Sequence, residues 1–455
     1  MSFLYILLAL FIFGVLIFIH ELGHFIAARL CGVEILEFAI GMGPKLISWK
    51  SKKNGTRYSL RLFPIGGYVS MLGENGMEAV QGSAEGEVNE TALPTDTEAV
   101  EGEMVDLAQD PGRAQHAYCN QSVWKRILIS FAGPLMNVVL GFLLMMVMVL
   151  ASGETAVGTT QIAGFYVTYS AEETYGGLQA NDYIIALDGV SIHSFSQMKD
   201  AVSAKDGATF TVDIMRWNEE KNDILELSLE GVVLSDTLLE SHFTSSLSEQ
   251  SGLKIYDEVV KVNGTAVHTY NELAYEIMNQ GYAPLKLTVI RNGEKTVLEN
   301  IIVPSYVDQG ITFGDLDFKV WREPSFGPLT VLKHTWFRSV STVKMVFDSL
   351  AGLFSGRYGV EAVSGPVGIT KTISDAAKTG YLNVLYLVTV ISINLGVMNL
   401  LPLPALDGGH LLLYAVEVVR RKPVKPEVES MINFIGLILL LGLAVIIAIK
   451  DIIAL

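Results

Sequence analysis

Residues 3–30, FLYILLALFIFGVLIFIHELGHFIAARL, decide how this chain is built. Phe3–Ile19 is apolar and uncharged, and the helical pattern continues through His20-Glu21-Leu22-Gly23-His24 to Leu30. About 20 such residues carry a helix across the ~30 Å of a bilayer's hydrocarbon. The run has no basic segment ahead of it and no small-residue cleavage site, and His-Glu interrupts its end. We read it as a retained membrane span and not as a signal peptide.

Three more uncharged runs, Ile127–Gly153, Tyr381–Leu406 and Ser430–Ile449, have the same character. Composition agrees, since 50% of the 455 residues are hydrophobic and 18% charged, against about 25% charged in soluble domains. The net charge of −16 argues against a nucleic-acid partner. Much of that charge sits in Glu74–Pro111, with eleven acids and no Lys or Arg. This stretch reads as a flexible, solubilising linker. Two cysteines, Cys31 and Cys119, are too few for a disulfide framework and read as free thiols.

Lys and Arg near the span ends set the orientation. Arg29, Lys45, Lys50, Lys125, Arg126, Arg420, Arg421, Lys422 and Lys425 fall on one side, and Lys371, Lys378 and Lys450 on the other. The excess marks the cytoplasmic side, so both termini are expected outside, in a periplasm where there is one.

His20 and His24 are four residues apart, so on a helix they share a face and can grip one metal ion. Glu21, one step round, can accept a proton from a water that zinc acidifies toward a pKa of about 7. The plainer alternative is two buried histidines and a salt-bridged glutamate, but ionisable groups inside a span are costly and usually functional. A catalytic zinc needs a third protein ligand. Cys31 lies seven residues past His24, about 10 Å along a helix, which is too far. Asp407 follows the Pro-broken stretch Asn399-Leu-Leu-Pro402-Leu-Pro404-Ala-Leu-Asp407-Gly408-Gly409, where an unwound backbone could turn its carboxylate inward. It could equally cap the helix that begins at Gly408. The residues alone leave these two readings even.

His20-Glu21-x-x-His24 in the first span and Asn-x-x-Pro-x-Pro-x-x-Asp-Gly in a later one resemble the site-2 protease family of intramembrane zinc metalloproteases. The likeness is nearest to its bacterial RseP type, the regulators of sigma-E protease. It extends to Phe131-Ala-Gly-Pro134-Leu-Met-Asn137 and to Ser364-Gly-Pro-Val, so it covers most of the chain. The resemblance implies Zn2+ held by His20, His24 and Asp407, with Glu21 as the catalytic base. It implies that Asn394 and Asn399 contact substrate or steady the oxyanion, ordinary interhelical hydrogen bonding being the alternative. It implies cleavage of single-pass membrane proteins already trimmed by another protease, an anti-sigma factor and remnant signal peptides among them. The expected place is a bacterial inner (plasma) membrane, with the active site near the cytoplasmic side. A non-catalytic membrane scaffold is the alternative, although a scaffold has no use for Glu21. A transporter finds little support, since the spans are few and show no repeat.

Between the second and third runs lies an internal repeat. Gly177-Leu178, Asp182 and Asp188-Gly189 return as Gly252-Leu253, Asp257 and Asn263-Gly264; His193, Phe195 and Arg216 match His268, Tyr270 and Arg291. Each copy carries alternating strand patterns (Thr209–Met215, Leu285–Ile290) and a short helical one. They resemble tandem PDZ domains, and the family reading is a filter against bulky ectodomains. The paired histidines read as structural. Leu332, Trp336, Val340, Val343, Phe347, Leu350 and Phe354 then recur at helical spacing, an amphipathic helix suited to a membrane surface, to the modules or to a core.

Residues 45–62 read as a hairpin turning at Asn54-Gly55, with Gly41 and Gly43 before it counted among substrate-binding positions. In the family the matching segment is a β-loop re-entering the membrane, and an exposed strand edge would pair with unwound substrate. The fold class expected is thus an α-helical polytopic membrane protein of four transmembrane helices with this hairpin and two small α/β PDZ-like domains. The expected divisions are 1–30, 31–73 (hairpin region), 74–122 (acidic), 123–153, 154–230 and 231–305 (the modules), 306–380 (amphipathic helix), 381–409, 410–429 (cytoplasmic loop) and 430–455.

Overall fold

The computed structural model describes residues 3–74, 111–218, 223–280, 283–306, 315–357, 359 and 363–453. Most of the acidic linker expected at 74–122 lies outside them. The chain forms two compact units, Met1–Met145 with Thr342–Leu455, and Met146–Ser341. Four helices among the described residues are long and apolar enough to cross a membrane: Leu4–Leu30, Val123–Ala156, Tyr381–Asn399 and Glu427–Ile453.

The first unit begins with α1 (Phe3–Leu30), apolar on every face from Phe3 to Ile19, as suits a helix in lipid. Strands β1 (Ile35–Lys50) and β2 (Arg57–Met71) follow, and both are bent so that each supplies two pairing segments. Phe38 pairs with Val69 on one side and Tyr58 on the other, and Ile40 with Gly67 and Leu60. Residues 45–50 pair only with 57–61. The order is therefore 45–50, 57–61, 35–40, 67–71, and among the described residues no further strand pairs with 45–50 or 67–71. Ile35, Phe38, Val69 and Met71 are buried in a cluster with Ala27 and Ala28 of α1, while Leu46, Ile47, Trp49 and Leu62 stay exposed. Cys31 and Cys119 are both free thiols. Helix α2 (Val123–Ser152), with Pro134 inside it, leads toward the second unit.

Among its described residues the second unit holds two six-stranded sheets and a two-stranded pairing of Ser305–Tyr306 with Asp315–Leu316. Its elements are β3 (Gly158–Phe165), β4 (Val167–Tyr169), β5 (Tyr183–Leu187), α3 (Phe195–Ser203), β6 (Thr209–Asn218), β7 (Asp223–Val233) and β8 (Phe243–Ser245). Next come β9 (Glu258–Val262), α4 (Tyr270–Gln280), β10 (Leu285–Arg291), β11 (Glu294–Ile301) and β12 (Phe318–Arg322). The main paths run β7-β6-β5-β4-β8 and β11-β10-β9-β3-β12. The repeat recurs in three dimensions: Arg216 grips Asp182 and the Gly177 carbonyl, as Arg291 grips Asp257 and that of Gly252. The copies also exchange strands. β3 precedes the first copy but joins the second sheet, and a division at 230/231 would cut β7. Alternation identifies a strand but not its partner.

Helix α5 (Pro328–Phe354) runs across the boundary between units. Its apolar stripe divides: Leu332, Trp336, Val340, Phe347 and Phe354 are exposed, whereas Val343 and Leu350 pack with Val346 against Ile393 and Val397, as the core alternative expected, and His334 and Thr335 are buried. Back in the first unit come α6 (Pro366–Thr379), α7 (Tyr381–Asn399), α8 (Asp407–Arg420) and α9 (Pro426–Ile453). The third span was read to Leu406, but its helix ends at Asn399, because Pro402 and Pro404 cannot continue it. Much of 410–429, read as a loop, is helix α8.

Candidate active site

Helix periodicity in α1 puts His20 and His24 on one face, and the irregular stretch 400–406 delivers Asp407 to them. The His20 and His24 Nε2 atoms are 3.3 Å apart. Asp407 Oδ2 stands 3.1 Å from His20 Nε2, and its Oδ1 3.4 Å from His24 Nε2. Asp407 does not cap α8: Leu406 holds that position, and the carboxylate is turned to the histidines. These three residues form a group able to hold a metal ion.

The donor set fits zinc. Tetrahedral ligands at about 2.0–2.1 Å from zinc are spaced about 3.3 Å apart, close to the edges of this triangle. The outer ring atoms are engaged as well. His24 Nδ1 donates to the Ile129 carbonyl at 2.8 Å, which leaves its Nε2 lone pair for a metal. His20 Nδ1 lies 3.2 Å from the amide of fully buried Asn137, whose Oδ1 has no partner as oriented. Turned over, that amide accepts from Nδ1–H and frees Nε2 in the same way. Asn137 is a contact that motif spacing left without a role. Its signal was an amide within an otherwise apolar run.

Gly133 of α2 is a close approach. A Cβ there would stand 2.2 Å from His24 Nε2 and 2.5 Å from its Cε1. Glu21 accepts a hydrogen bond from the Val69 backbone N–H, and a Cβ on Gly67 would lie 3.4 Å from its Cγ. The strand beside Glu21 is therefore the 67–71 edge, which lies outside the 45–62 hairpin given that place from sequence. That edge is continuous with the hairpin through residues 35–40, a pairing that local patterning does not reveal.

Gly41 and Gly43 sit at the bend of β1 with φ of 86° and 83°, and the Gly43 carbonyl accepts from Arg61. Asn394 is exposed on α7 and Asn399 is its last residue. Neither side chain makes a hydrogen bond among the described residues, so the interhelical alternative finds no partner here. His410 pairs with Glu429 at 3.1 Å and stands outside the ligand triangle.

Residues 8–443 match the family model of peptidase family M50. The zinc metalloprotease RasP of Shouchella clausii is 28% identical over 97% of each chain. The regulator of sigma-E protease RseP of Escherichia coli is 29% identical over 95% of each chain. The regulator of sigma-W protease RasP of Bacillus subtilis is 28% identical over 97% of this chain and 96% of its own.

Proposed function

We propose, from the premise that this chain belongs to peptidase family M50 and is a zinc metalloendopeptidase, that His20, His24 and Asp407 hold its zinc and Glu21 is the base. The observation that carries this is the meeting of three donors from opposite ends of the chain at zinc-ligand spacing, with Glu21 beside them.

Bound zinc supplies the Lewis acidity that brings a water's pKa to about 7. Glu21 takes the proton from the attacking water and hands it to the leaving amine. Ile129 and Asn137 hold the histidine rings in the tautomer that presents Nε2. Asn394 and Asn399, whose amides are unengaged among the described residues, contact the substrate backbone or its developing oxyanion. The 67–71 edge, reached past Gly41 and Gly43, offers backbone partners to a substrate span that must unwind before cleavage.

The substrates proposed are single-pass membrane proteins already shortened by another protease: an anti-sigma factor, in line with the sigma-E and sigma-W regulators among the relatives, and remnant signal peptides. The protein is multi-pass in a bacterial inner membrane, with both termini periplasmic and the zinc toward the cytoplasmic side. The two modules are PDZ-like and act as a size filter. The exposed side chains Leu332, Trp336, Val340, Phe347 and Phe354 of α5 rest on lipid.

The test is Glu21→Gln, assayed for zinc content and for cleavage of a membrane substrate. Zinc should remain at one per chain while cleavage falls about 10²–10⁴-fold, the usual cost of a lost general base. Near-normal turnover would end this assignment.

A further inference from the structure

Helix α9 is 28 residues long, yet among its described residues only Gly436, Ile447 and Asp451 are buried. It touches its unit along one narrow face. At 100° per residue, positions 429, 433, 436, 447 and 451 fall within an arc of about 60°. Each makes a defined contact or is buried on that face, and at one end these contacts surround Asp407.

Asn433 Oδ1 accepts from the Ala405 N–H at 3.4 Å. Ala405 has φ +66°, a conformation that a residue with a Cβ holds only when its surroundings fix it. Gly436 packs against Pro404 so closely that a Cβ would stand 2.3 Å from Pro404 Cβ and 2.9 Å from its carbonyl carbon and oxygen. Glu429 pairs with His410, one helical turn beyond Asp407. α9 thus holds the chain three residues before Asp407, two before it and three after it. At its other end Asp451 accepts from the Gly365 and Gly368 N–H groups at 2.8 and 2.9 Å, which stops the helix from sliding.

We infer that α9 is a strut that positions the zinc ligand Asp407, with Asn433 and Gly436 as positioning residues that act through Pro404 and Ala405. This rests on the reading of Asp407 as a ligand. Residues 400–406 carry two prolines and no regular hydrogen-bond ladder, so the location of the carboxylate depends on what grips the loop from outside. A ligand displaced by more than about 0.2 Å no longer fits a zinc site. Loosening this grip therefore lowers metal affinity before it unfolds the bundle.

The experiment uses the full-length protein in detergent. Zinc affinity is measured by chelator competition, the ligand field by absorption after cobalt(II) substitution, and integrity by thermal unfolding of the metal-free form. Asn433→Ala and Gly436→Ala should each weaken zinc about 10–100-fold, the range for outer-sphere supports, and should shift the cobalt bands. Leu439→Ala, on the exposed face of the same helix, should change neither. The metal-free midpoint of Asn433→Ala should stay at the parent value, which a purely structural role would not allow. Zinc affinity within twofold of the parent for both variants would overturn the strut. Asp407→Asn separates the two ideas: unchanged zinc occupancy there removes the ligand assignment and the strut with it. Lowered occupancy there with unaffected Asn433 and Gly436 variants removes the strut alone.

Discussion

Gly133→Ala is the sharpest single perturbation of the proposed site, because its effect can be worked from coordinates. The added methyl would stand 2.2, 2.5 and 2.8 Å from Nε2, Cε1 and Cδ2 of His24. Carbon–nitrogen contacts settle near about 3.5 Å, so His24 or helix α2 must give by more than an ångström. The His24 ring is held on its other side by the Ile129 carbonyl, only four residues before Gly133 on the same helix, so it has little room to withdraw. A zinc ligand tolerates about 0.2 Å. Zinc affinity should then fall by at least 100-fold, with cleavage falling in step. Gly141→Ala is the matched control. Its methyl would overlap Ile393 Cγ1 at 2.4 Å, a comparable clash further along α2 against an apolar side chain. Overpacking of that kind costs about 1–3 kcal/mol of stability without touching a proposed ligand. The assay pairs chelator competition with thermal unfolding of both metal-free variants. If Gly133→Ala bound zinc within threefold of the parent while Gly141→Ala did the same, His24 would not be where the metal sits.

Asn137→Ala removes the outer support of His20 and should weaken zinc about 10–100-fold, whereas Asn137→Asp keeps an acceptor for Nδ1–H and should retain most of it; equal affinities in the two would remove that role. Proline placed along 67–71 should impair cleavage with zinc retained, because it deletes a backbone donor at the edge beside Glu21; sensitivity confined to 45–50 would move the substrate to the opposite edge. The modules can be excised cleanly, since Val157 O accepts from Glu323 N at 2.9 Å, and an enzyme joined there should still cut and should accept untrimmed substrates. Loss of all cutting in a folded, zinc-loaded excision variant would mean that the modules deliver substrate instead. Asp317 is 6% exposed with one carboxylate oxygen unpartnered, and burial lifts its pKa from 3.8 to about 6. The folded state therefore holds this proton more tightly than the unfolded one, and stability falls as pH rises from about 4 to 6, by about 3 kcal/mol. Asp317→Asn should raise the unfolding midpoint at pH 7 and leave it near the parent value at pH 4; a gain of the same size at both would exclude titration as the cause.

The sequence by itself determined the features that depend on local order. Uninterrupted apolar length marked four spans, because a helix crossing hydrocarbon must satisfy its own backbone and show no polar face. Four-residue spacing put His20 and His24 on one side of α1, and the 75-residue repeat returned as two matched Arg–Asp clasps, Arg216 with Asp182 and Arg291 with Asp257. What depends on who meets whom was out of reach. Asp407 as cap or as ligand was even on residue grounds, since either role needs only a carboxylate after a broken helix. The structure turns the carboxylate toward His20, a contact across nearly four hundred residues that excludes the cap and supports the ligand reading. The same holds for β3 joining the second module's sheet and for the 67–71 edge lying against Glu21. Strand pairing is set by long-range packing, and no periodicity in the strand itself encodes its neighbour. α9 gives the clearest case. Its sequence reads as one more lipid-facing span, and only its packing shows that the row Glu429, Asn433 and Gly436 closes on the loop that carries Asp407.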